Sequence, residues 1–293
     1  MSNSMIFQEE WAVKAQEYLE HPTNWKEICN VQITNSRVLN NPYFTEATVA
    51  TTARDSAYSF LAVTLTNESV TISSIGILNQ KIDRADLAQS NFETQMEMAR
   101  KQGVKLNEYL ETRMLAGGTT GSDWTDIGDL NGKPTLSVTS PITVTPNNID
   151  NIIRAVKREI ATANGIELYR RNGGFVVWRP GDWEYFEEFR DANGYTEADK
   201  SLRDGSDFGV YYKGLYHYVS NDHTANHVFA GVRKLYHLGI VRDTYGQVVV
   251  VDEPSDSSGA YSAIGVNMRV DYAFKSWNNT KSLLFDINVG SVV

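Results

Sequence analysis

The chain has 293 residues, 41% hydrophobic and 22% charged, which is enough for one large domain or two ordinary ones around a full apolar core. Its 36 acidic against 27 basic side chains leave a formal charge of −9, with no run of Lys and Arg, which argues against tight, direct nucleic-acid binding. Cys29 is the only cysteine, so an intrachain disulfide and a zinc–thiolate cluster are both excluded, as suits a reducing cytoplasm.

Met1 to Trp11 is polar and acidic and lacks the apolar centre of a signal peptide. The longest apolar runs, such as Val248–Val251, are too short to cross a membrane, so a soluble chain made in the cytoplasm is expected. Glu9 to Glu20 reads as a short helix broken at His21-Pro22, and Thr23 to Phe44 as an extended arm. Two alternating segments, Tyr58 to Leu65 and Val70 to Ile77, flank the turn-like Thr66-Asn67-Glu68-Ser69 and predict a β-hairpin. A lone hairpin is marginal in water, so it joins a larger sheet or lies on another molecule.

Ile82 to Met114 then reads as one long helix, with apolar or small residues at Ala85, Ala88, Phe92, Met96, Ala99, Leu106, Leu110 and Met114 and only Gly103 weakening it. Such a helix would be about 50 Å long. A compact monomer of this length has a radius of gyration of about 19 Å, so a rod of that length favours a flat or elongated subunit. Gly117 to Gly121 reads as a linker, and a loop is expected to reach Pro146. Asn148 opens a second helix with Ile149, Ile152, Ile153, Val156 and Ile160 on one face, stopped by Asn164-Gly165.

Phe175-Val176-Val177-Trp178 predicts a buried strand cut by Pro180. A short helix over Asp182 to Arg190, stopped at Asn193-Gly194, follows, then a polar stretch from Asp199 to Asp207 and a tyrosine-rich strand at Val210 to Val219. Val248 to Val251 reads as a central strand and Pro254 to Gly259 as a flexible joint. Ile264, Val266, Met268, Val270, Tyr272 and Phe274 at every second position mark a long half-buried strand, and Phe285, Ile287 and Val289 a last one. Strands and helices mix without regular βαβ alternation, so the fold class is α+β.

Motifs for chemistry are weak. The Gly117–Gly121 stretch lacks the Lys-Ser or Lys-Thr of a phosphate loop, and Asp207-Phe208-Gly209 lacks the companion motifs of a kinase. His223 and His227 stand at metal-ligand spacing with His217 and His237 nearby, but among polar turn formers. Glu184, Glu187 and Glu188 read as the wet face of a helix whose Trp183 and Phe186 face inward. No catalytic, cofactor-binding or metal-ligating residue is assigned, no cofactor is expected, and the chain reads as a non-enzyme.

The order of elements resembles the major capsid proteins of tailed bacteriophages, with their Hong Kong 97-type fold. Ile82-Asp83-Arg84-Ala85-Asp86-Leu87-Ala88-Gln89 is similar to the start of that family's spine helix, and Leu110 to Gly118 to its end. Phe175 to Pro180 with the helix after it resembles a strand–helix unit of the axial domain. Ala230-Gly231-Val232-Arg233-Lys234 and Tyr272-Ala273-Phe274-Lys275-Ser276-Trp277 resemble late segments. The resemblance implies an N-terminal arm (1–44), an extended hairpin loop (45–78), a peripheral domain with the spine helix (79–145 and 255–293) and an inserted axial domain (146–254).

It also implies what the chain does. Copies would form hexamers and pentamers of an icosahedral head around double-stranded DNA, touched only by weak non-specific contact, with no membrane involved. Implied partners are a separate scaffolding protein, because only about forty residues precede the hairpin, a portal protein at one vertex, and room for a decoration protein. The chain would be made in the host cytoplasm and end in the virion. An encapsulin-like nanocompartment shell is the alternative within the fold, and a His/carboxylate metal hydrolase using His223 and His227 the alternative outside it.

Overall fold

A computed structural model of the chain describes residues 23–44, 51, 53–54, 60, 62–83, 94–119, 123–126, 141–192, 210–222, 226–245, 248–252 and 263–290. The helix expected over Glu9–Glu20, the Asp199–Asp207 stretch, the Pro254–Gly259 joint and the Asn193-Gly194 stop lie outside these residues.

The centre of one sheet is the alternating strand, here β12 (Ala263–Ser276). Val266, Met268, Val270 and Tyr272 point to one buried face. One edge of β12 pairs antiparallel along its length with β4 (Ser74–Asp83). Its other edge is shared by β10 (Tyr236–Val241) and β11 (Val248–Asp252). Outside β10 runs β1 (Cys29–Thr34), parallel to it. The segment expected as an extended arm is therefore extended but paired, and it begins with one helical turn, α1 (Trp25–Ile28). Among the described residues Val248–Val251 is not central. A valine run reads as burial on both faces, but Val248, Val249 and Val250 lie on a strand paired on one edge only and are about half exposed.

The long helix, α2 (Thr94–Thr119), covers the buried face of this sheet through Leu106, Leu110 and Met114. Two expectations change. Ile82 and Asp83 close β4, where Ile82 faces Ile264 across the pair, so the helix among the described residues begins twelve positions later than its apolar period suggested. At its far end it runs through Gly117 and Gly118, the first residues of the expected linker. Gly117 serves packing there, because a Cβ would overlap the Tyr236 hydroxyl. The helix is continuous through Gly103, and its 26 residues make it about 39 Å long.

Glu111 ties the N-terminal segment to this helix. Its buried Oε2 accepts from the backbone N–H of Asn24 (3.0 Å) and of Trp25 (2.8 Å), at the start of α1. Burial raises its pKa from 4.5 to about 7 against the lowering effect of those donors. The folded chain then holds a proton that the unfolded chain releases between these values, so this group's contribution to stability is present below pH 4.5 and declines as pH rises through 7. Chemical denaturation of wild type and Glu111→Gln from pH 4.5 to 8 is expected to show that decline in wild type alone. Equal slopes would remove the assignment.

The second sheet has six strands in the order β5 (Thr125–Asp126), β13 (Leu284–Asn288), β9 (His227–Val232), β6 (Gly174–Trp178), β8 (Leu215–Val219), β7 (Val210–Tyr212). As expected, β6 is buried throughout. The tyrosine-rich strand is instead a hairpin, β7 and β8, turning at Lys213 (φ 48°) and Gly214 (φ 86°). Two successive positive φ values are the mark of a type I′ turn. Helix α3 (Ile149–Thr162) follows the predicted face and stops at Asn164 in a left-handed conformation, φ 58°. The short α4 (Ile166–Asn172) ends at Gly173. Helix α5 begins at Pro180 and runs to Ala192, with proline at its first position, where its missing N–H costs nothing.

β10 and β11 pair with β12, whereas β13 pairs with β9. Trp124 lies between the sheets, its ring edge-on to Phe175 and Phe229 of one and Tyr236 of the other.

Candidate assembly surface

The predicted hairpin is replaced by a ribbon from two distant segments. β3 (Leu65–Thr71) pairs antiparallel with β2 (Val38–Phe44), so Thr66–Ser69 is strand, not turn. Tyr58 lies outside the described residues. Pro42 fits because each ribbon strand is an edge. At its base the ribbon is fastened to the long sheet. Leu39 and Ile72 pack on Val241 and Ala273. Gly239 permits this, since a Cβ there would stand 2.5 Å from Leu39 Cδ1. Glu68 Oε2 accepts from the Asn278 N–H at 3.0 Å.

Nothing comparable holds the other end among the described residues. Phe44 and Leu65, directly opposite each other, are 66% and 60% exposed, with Val63 at 64% and Phe60 at 99% beyond them. Seven residue pairs give a ribbon about 24 Å long whose tip carries large apolar side chains in water. The same side of the long sheet shows Ile75 and Ile77 of β4 about half exposed, flanking Arg269 and Asp271, which pair at 2.6 Å. α2 covers only the opposite side, where Gln102 Nε2 donates to Val266 O at 2.9 Å. Exposed apolar groups of this extent mark contact surfaces.

The side chains weighed for chemistry are dispersed. His217 is fully buried, its Nδ1 accepting from Trp178 Nε1 at 2.9 Å, and burial lowers its pKa to about 4, so it is a neutral core residue at pH 7. His227 Nδ1 lies 2.8 Å from Asp286 Oδ1 in the six-stranded sheet, and His237 sits in the other sheet. His223 and Asp207-Phe208-Gly209 lie outside the described residues. Glu184 and Glu188 are exposed on α5, Trp183 and Phe186 buried, and Trp183 Nε1 donates to Glu187 at 2.5 Å. No group of three or more metal-ligating side chains occurs among the described residues. No described helix is long and apolar enough to cross a membrane.

The sequence matches no protein-family model and no curated protein. Its three-dimensional structure has counterparts. A chain of Mycobacterium phage Che8 superposes with a TM-score of 0.68 over 98% of both chains at 13% identity. One from the capsid of a native GTA particle gives 0.66 over 98% of this chain and 96% of that one, also at 13% identity. The chain has a phage-capsid fold. A third phage-capsid chain, from the capsid of Ralstonia phage GP4, gives 0.66 over 98% and 96% at 8% identity, so the similarity lies in chain path and not in residues. Within this phage-capsid fold the exposed ribbon tip is the apolar surface; sequence placed a hairpin in this region but missed its pairing with 38–44. Its signal is a pairing across more than twenty residues, which no local pattern carries.

Proposed function

We propose that the protein is the major capsid protein of a tailed bacteriophage, assembling into hexamers and pentamers of an icosahedral head around double-stranded DNA and residing in the virion. The observation that carries this is the superposition on phage-capsid chains over nearly the whole of both partners. The ribbon supports it, because a two-stranded ribbon with an apolar tip needs a surface to lie on. In this reading the six-stranded sheet with α3 and α5 is the axial part, the long sheet with α2 is the peripheral part, and catalysis plays no role. A separate scaffolding protein, a portal and a decoration protein are partners of the same reading, and the acidic charge keeps contact with packaged DNA weak. The encapsulin-like alternative gains no support from these chains beyond the shared fold.

Expression of the chain with and without the product of a neighbouring scaffold gene, followed by negative-stain imaging, tests this. Closed shells are expected. A chain that stays monomeric in both cases would defeat the proposal. In the same assay Phe44→Asp/Leu65→Asp should leave the melting curve within about 0.5 kcal/mol of wild type, as for exposed sites. Particle yield should fall about tenfold or more, the result of weakening a contact by 1.4 kcal/mol.

A further inference from the structure

The six-stranded sheet carries unlike surfaces on its two faces. Side chains alternate along a strand. Trp178 and His217 stack against Phe186 of α5 on one face, while Tyr216 and Tyr218, one residue out of phase with His217, point to the other. On that second face Tyr211 (57% exposed) and Tyr216 meet with ring centres 4.8 Å apart. The Arg233 guanidinium lies 4.3 Å over the Tyr216 ring, its charge balanced by Glu27 at 2.7 Å. α4 ends beside them, since a Cβ at Gly173 would be 3.2 Å from Tyr216 Cε2; there Arg170 pairs with Glu167 at 2.8 Å and Arg171 follows it. Exposed tyrosine with arginine is the composition of interface hot spots.

Across the sheet, α5 presents the opposite charge. Glu184, Glu188 and Asp191 are exposed at i, i+4 and i+7, one acidic stripe along the helix. Arg190, the basic residue of this helix, is buried. An aromatic surface edged by Arg171 and an acidic one on opposite faces of a single layer cannot pair within one molecule. Between copies related by rotation they meet head to tail, the geometry that closes into rings.

The geometry points to a head-to-tail contact in which the Tyr211–Tyr216–Arg171 surface of one copy receives the acidic face of α5 from the next. This rests on the shell reading above and gives its rings a polarity and a set of contact residues. Complementary charge also selects the direction of approach, since like surfaces repel.

Charge reversal tests it in the particle-yield assay. Arg170→Glu/Arg171→Glu and, separately, Glu184→Lys/Glu188→Lys should each lower the yield of closed particles about tenfold or more, equivalent to an interface weakened by 1.4 kcal/mol. All four changes in one chain should bring the yield back to within about threefold of wild type, because the reversed charges face each other again. Tyr211→Ser, at an exposed position, should reduce yield with an unchanged melting curve. Single-surface variants assembling as wild type, or a fourfold variant no better than either pair, would overturn the contact and leave the shell reading standing. Wild-type chain that forms no particles would remove both.

Discussion

Replacing Trp124 by alanine should destabilise the chain by about 3–5 kcal/mol, the range for truncating a buried large aromatic. Trp124 is 1% exposed and makes edge-on ring contacts with Phe175 and Phe229 on the six-stranded sheet and with Tyr236 on the long one. Its loss would leave a cavity between two sheets, where neither can collapse without moving the other. Edge-on aromatic pairs each add about 0.5–1.5 kcal/mol beyond buried area, so Trp124→Phe should recover only part of the loss. Urea denaturation followed by tyrosine fluorescence and circular dichroism gives the midpoints. A shift equivalent to under about 1 kcal/mol, the scale of a surface change, would show that the sheets are joined elsewhere.

Arg179→Ala should cost a similar amount by a different cause. Arg179 is bidentate to Asp182, with Nε–Oδ2 at 2.6 Å and Nη2–Oδ1 at 2.9 Å, and its Nη2 also donates to the Gly290 carbonyl at 2.9 Å. Asp182 is 1% exposed, so removing the guanidinium strands a buried carboxylate, at a cost of about 3–5 kcal/mol. The pair itself contributes far less than that. Arg179→Met/Asp182→Leu, which removes both charges and fills the space, should lie within about 1–2 kcal/mol of wild type or above it. If the double variant proved as unstable as Arg179→Ala, packing and the Gly290 bond, not the stranded charge, would explain the loss.

The elements legible in the sequence were those whose burial is periodic and local. α3, β6, α5 and β12 each carry their own pattern of apolar positions, and each was found within a few residues of its bounds. Ile82 and Asp83 were misread because Ile82 extends an apolar helical period by coincidence while it pairs in β4; the expected helical positions 84–93 lie outside the described residues. The ribbon was misread because Thr66–Ser69 is polar for the wrong reason. A strand with water on both faces looks like a turn unless its partner, here 38–44, is known. The β7–β8 turn hides between tyrosines, with only Gly214 as a signal.

The candidate surfaces were less legible than the fold. Phe44 and Leu65 look like ordinary core residues until their pairing places them at a tip. The tyrosines at 211 and 216 alternate as core strands do, and only their exposure, 57% and 37%, marks them as surface. Glu111 drew no sequence-based assignment. Its partner Asn24 stands 87 positions away, so no local pattern marks it as a buried anchor.

The parallel pairing of β1 with β10 carries a consequence for synthesis. Asn30 and its neighbour His237 are 207 positions apart, so the first strand to leave the ribosome waits for most of the chain. At about 5–20 residues per second that delay is roughly 10–40 s. The ribbon's footing on Gly239, Val241 and Ala273 is later still. A nascent chain therefore cannot seat the ribbon fully until Ala273 has been made.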